Sequence, residues 1–107
     1  MADGETALKF QMIMQGEAGL DRDRALIVFL KERIAERAKV AEEAEERLLA
    51  GVARALAEFE EKFEHPHRDD DRHSHFAGQM QALGWSLRCT AFAAFSTHPD
   101  FRQDFRP

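Results

Sequence analysis

The residues best equipped for chemistry lie together at 64–75, where the chain reads Glu-His-Pro-His-Arg-Asp-Asp-Asp-Arg-His-Ser-His. His65, His67, His73 and His75 form two His-x-His pairs, with Asp69, Asp70 and Asp71 between them. Imidazole is the commonest transition-metal ligand. Two such pairs across a short acidic loop could surround one zinc, nickel or copper ion, with aspartate oxygens completing the set. No thiol accompanies them, and the spacing lacks the i,i+4 pairing of helix-borne histidine sites. The competing reading is a solvated polar loop whose histidines titrate near their ordinary value of about 6.5.

Other chemistries lack components. Cys89 could act as a nucleophile, but no Gly-rich turn surrounds it. It shares a helical stripe with Trp85 and Phe92, the pattern of a core thiol. Glu-x-x-His, the signature of carboxylate-bridged di-iron bundles, cannot occur before residue 65, because that stretch holds no histidine. Neither a Gly-x-Gly-x-x-Gly turn, a phosphate loop nor a Gly-x-Ser-x-Gly elbow is present. Arg22, Arg24, Lys31, Arg33, Arg37 and Lys39 could meet phosphates. Asp21, Asp23, Glu32 and Glu36 interleave them, as on an ordinary mixed-charge face. Met12, Met14 and Met80, with nine Phe, would fill a core or line an adaptable partner groove.

These residues must be held by the elements of one small domain. The chain has 107 residues, a formal net charge of −5, 44% hydrophobic and 33% charged residues. That mixture is too apolar for a disordered chain. The negative balance disfavours a general nucleic-acid coat and an anionic membrane surface. The single cysteine leaves no intramolecular disulfide and fits a reducing cytoplasm. The longest strongly apolar run, 25–30, is far too short to span a bilayer, and the N-terminus lacks a signal-peptide pattern.

Apolar residues at Ile27, Leu30, Ile34, Ala38, Ala41, Ala44, Leu48, Val52, Leu56, Phe59 and Phe63 step by three and four, which predicts one long helix over 23–64. Unbroken, it would be about 60 Å long, so either it bends, with Gly51 the weak point, or the protein is elongated. Ala35, Ala38, Ala41 and Ala44 offer a seam for close helix approach. Pro66 opens a polar loop over 65–73. A second helix over 74–96 carries two apolar stripes, Phe76–Met80–Leu83–Leu87–Ala91–Ala94 and Trp85–Cys89–Phe92. Gly84 on this helix permits close packing. Residues 1–20 read as an arm: a strand that would pair between molecules, a short helix, or a disordered segment. The tail, 97–107, reads as a lid, with Phe101 and Phe105 one turn apart and folding back on the helices.

Two segments together carry a resemblance. Ile27-Val28-Phe29-Leu30-Lys31-Glu32-Arg33-Ile34-Ala35-Glu36 resembles the opening helix of a family of small uncharacterised proteins of actinobacteria and their phages. The closing run His98-Pro99-Asp100-Phe101-Arg102-Gln103-Asp104-Phe105-Arg106-Pro107 resembles that family's His-Pro-Asp-Tyr tail, with Phe where Tyr and Trp are usual. The resemblance covers about a quarter of the chain. It implies a helical fold and an actinobacterial or phage source, and carries no activity.

The sequence thus predicts an all-α helical bundle, a long helix paired antiparallel with a second, and an assembly into homodimers. The function expected is that of a non-enzymatic, cytoplasmic interaction or accessory protein with a protein partner. Nucleic-acid binding through the basic half of the long helix and metal binding through the His loop are the alternatives.

Overall fold

A computed structural model describes residues 2–64 and 74–107, with side chains over 19–64 and 78–107. The fold is all-helical. Helix α1 spans Ala2–Ala38, α2 Glu43–Phe63 and α3 Ser74–Phe95, and a short 3-10 turn covers Gln103–Phe105. No strand occurs among the described residues. The molecule measures 59 × 29 × 16 Å. Its long axis matches α1, whose 37 residues make about 55 Å of helix.

The helix expected over 23–64 is divided, and the division is not at Gly51, which α2 passes without interruption. It falls at Lys39–Glu42, where Val40 N–H bonds to Arg37 O and Glu42 becomes the extended N-cap of α2. No Gly or Pro marks this place. The reason is burial. Continued straight, the helix would hold Leu30 and Leu56 about 39 Å apart along its axis. Folded back, both lie in one core. Such burial outweighs the local helical preference. Glu43, Glu45 and Glu46 in the first turn of α2 complement its dipole. A bidentate ion pair then clamps the corner: Arg37 Nε and Nη2 donate to Glu45 Oε1 and Oε2 at 2.7 and 2.9 Å. It holds the Glu45 carboxyl below its usual value.

The boundary expected at residue 20 is no element boundary, since the backbone of α1 is helical from Ala2. The alanine seam also differs from expectation: Ala35, Ala38 and Ala44 are exposed. Small side chains bury little area, so the helices close on larger residues instead. The core comprises Leu26, Ile27, Phe29 and Leu30 of α1, Leu56, Phe59 and Phe63 of α2, Leu87 and Ala91 of α3, and Phe105 of the tail. Gly84 lets α3 approach α2 closely: a Cβ there would stand 3.1 Å from the Phe59 ring.

Candidate interaction face and tail clasp

The tail is tied to α1 by an aromatic cluster and one buried arginine. Phe29 meets Phe95, Phe101 and Phe105 with ring centroids 6.0, 6.0 and 5.4 Å away, and Phe101 meets Phe105 edge-on at 5.6 Å. Each such pair contributes about 0.5–1.5 kcal/mol beyond its burial. Arg33, one helical turn after Phe29, is only 4% exposed and stacks its guanidinium 5.2 Å from the Phe29 centroid. Its Nη2 lies 3.2 and 3.1 Å from the carboxylates of Glu32 and Glu36. Its Nη1 touches both ring nitrogens of His98 and sits 3.6 Å from Asp100. Asp100 N–H donates to His98 Nδ1 at 3.0 Å, so that nitrogen acts as an acceptor. Arg102 adds a second tie, donating to Asp21 at 3.0 Å and to Asp104 at 2.6 Å. Between tail and α1 lies a shallow cleft of about 360 Å³ over Val28, Phe29 and Phe105. Its rim carboxylates Asp21, Glu32 and Asp100 are already paired with these arginines.

Helix α3 is unlike the others. Between Ser74 and Phe95 its sequence holds one Arg, no Lys, no Asp and no Glu. Met80, Leu83, Gly84, Leu87 and Ala91 face the bundle. The second stripe was expected to be covered as well, and it is not: Trp85 is 55% and Phe92 39% exposed, with Cys89 half-buried between them. At the Phe92 end the tail reaches this stripe, with the Phe101 ring centroid 6.3 Å from that of Phe92. Arg106 lies 5.5 Å from the Phe92 centroid and rims its edge. Past the other edge of that outer face, between α3 and α2, lies a groove of about 310 Å³, with Leu83, Leu87, Val52 and Ala55 at its base and Ser86, Thr90, Leu48 and Arg47 around it. Leu48 at its lip is 72% exposed.

Where α1 meets α3, Arg22 pairs with Asp23 at 3.2 Å. Burial holds the Asp23 carboxyl above its usual value against the pull of Arg22. Burial and the charge of Arg22 push Arg88 down.

Of the candidate metal ligands, His65, His67 and His73 lie outside the described residues, as does the side chain of His75. Among the described residues no group of His, Cys, Asp and Glu is placed to hold a metal ion. Four of the basic residues of α1 are drawn into contacts within the fold: Lys31 donates to Glu60 at 2.7 Å, Arg33 and Arg37 are paired as above, and Arg24 stacks 5.7 Å from the Phe63 centroid. Among the described residues no helix is long and apolar enough to cross a membrane. The residues that sequence reasoning missed are Leu26, Phe29 and Arg33. Their spacing of three and four marks a second stripe on α1, beside Ile27, Leu30 and Ile34. No protein-family model, curated protein or solved structure matches this chain.

Proposed function

We propose that this is a non-enzymatic helical interaction protein that works as a homodimer, joined through the outer face of α3. One observation carries the reading: an uncharged helix face displays Trp85 and Phe92 to solvent on a chain that is one-third charged. Neighbouring exposed aromatic side chains on a small folded domain mark a contact site. Aromatic residues are the side chains that supply most interface energy. The described clefts are lined mostly by apolar side chains, and their charged groups are paired with neighbours at the tail, between α1 and α2, or along α2, an arrangement that favours packing over chemistry. The resemblance of 27–36 and 98–107 to actinobacterial and phage proteins fits an accessory factor, and the single half-buried thiol fits a cytoplasmic setting. Light scattering of the full chain at high micromolar concentration tests the assembly. A mass of twice 12.2 kDa supports it, and a mass of 12.2 kDa refutes it.

A further inference from the structure

Resting on that reading, we infer how the second copy seats: Trp85 of each chain fills the groove between α2 and α3 of the other. The argument begins with placement around α3. At about 100° per residue, Phe92 and Trp85 occupy one edge of the outer face, Cys89, Ala82 and Ala93 its middle, and Ser86 and Thr90 the other. The groove opens at that second edge, lined by Ser86 and Thr90 with Leu48 at its lip. The protruding indole and the hollow thus flank a strip of small side chains.

They also lie at one level. Trp85 falls within the span 83–90 that α3 contributes to the groove. A two-fold axis running along α3, between two parallel copies of the helix, exchanges the two edges of the face and preserves height along it. That operation sets each indole opposite the partner's groove, and each groove opposite the partner's indole, as an isologous interface requires. The small residues between allow the helix axes to approach to about 8 Å. An axis across the helices would instead set Trp85 against Trp85 and leave both grooves empty.

Size and charge favour a second copy as the occupant. The groove, at about 310 Å³, is large enough to admit an indole. Over 78–95 the face is about 27 Å long and, with α2 beside α3, about 20 Å wide. Its footprint of order 600 Å² approaches the roughly 800 Å² per partner of a standard specific interface. The chain carries a net −5, yet α3 brings no acidic residue to this face, and the one charged side chain lining the groove, Arg47 of α2, is paired with Glu43 at 2.6 Å, so two copies meet here with little like-charge repulsion.

Two variants test the seating by complementation. Trp85→Ala removes the indole and keeps the groove; Ser86→Lys keeps the indole and blocks the groove. Both sites are exposed in the monomer, and helical circular dichroism checks that each variant is folded. In sedimentation velocity the wild type is expected to dimerise and each variant alone to be monomeric. Their equimolar mixture should recover a heterodimer, through the one intact indole–groove pair, binding at least tenfold more weakly than wild type. Dimeric variants would place the interface elsewhere and overturn this seating while leaving the homodimer reading intact. Monomeric variants that fail to complement would also overturn it, in favour of indole against indole. A monomeric wild type would overturn both.

Discussion

Gly84 offers the sharpest test of how the bundle packs. An added Cβ would lie 3.1 Å from Phe59 Cε1 and 3.3 Å from Cζ, inside the 3.5–4.0 Å of a comfortable carbon contact. Phe59 is 0% exposed, so its ring has no solvent to retreat into. Overpacking of this kind costs about 1–3 kcal/mol. Replacing glycine by alanine inside a helix returns about 1 kcal/mol. Gly84→Ala should therefore range from neutral to about 2 kcal/mol destabilising. Gly51→Ala is the control. Gly51 also sits within a helix, but in the monomer nothing lies within 4 Å of the added carbon, so at concentrations low enough to keep the protein monomeric the gain of about 1 kcal/mol stands alone. Urea unfolding followed by circular dichroism, at one protein concentration, measures both. Adding Phe59→Leu should relieve Gly84→Ala, giving a coupling of about 0.5–3 kcal/mol. Equal stabilisation by the two alanines, with no coupling to Phe59, would refute the close approach of α2 and α3.

Three further outcomes follow from the same contacts. Phe105→Ala empties a site that is 1% exposed and should cost about 3–5 kcal/mol in urea unfolding; a loss under about 1 kcal/mol would mean the tail is not part of the core. Arg33→Met should cost no more than about 1 kcal/mol, because its carboxylate partners are more than half exposed and rehydrate, whereas Arg33→Ala also loses packing on Phe29 and should cost about 2–3 kcal/mol. Asp23 titrates above its usual value, so its neutral form is the one the fold favours; the stability this contributes is full below about pH 3.8 and is lost as pH rises through the folded value. Asp23→Asn should therefore be the more stable form at pH 7, with its advantage over wild type vanishing in acid, as thermal melts across pH would record.

The fold was legible where periodicity spoke directly. The stripes Ile27–Leu30–Ile34 and Leu83–Leu87–Ala91 are readable from spacing, and both serve the core. The corner at Lys39–Glu42 was not, because no Gly or Pro marks it; only the non-local meeting of Leu30 with Leu56 accounts for it. Arg33 reads as one more charge on a mixed face until Phe29 and His98 are seen around it. Trp85, Cys89 and Phe92 are recognisable as an apolar stripe, yet spacing gives the direction of a face and not what covers it. The sequence reading assigned this stripe to the bundle interior; the fold turns it to solvent, and that reversal is what favours assembly.

Trp85 is the chain's only tryptophan, which makes the central claim directly observable. Its emission should be followed while the protein is diluted from high to low micromolar concentration, alongside the sedimentation mass. A homodimer joined through the outer face of α3 predicts a shielded, blue-shifted indole at the dimer mass, shifting red in step with dissociation. An emission that stays that of a solvated indole at every concentration, whatever the mass, would contradict it.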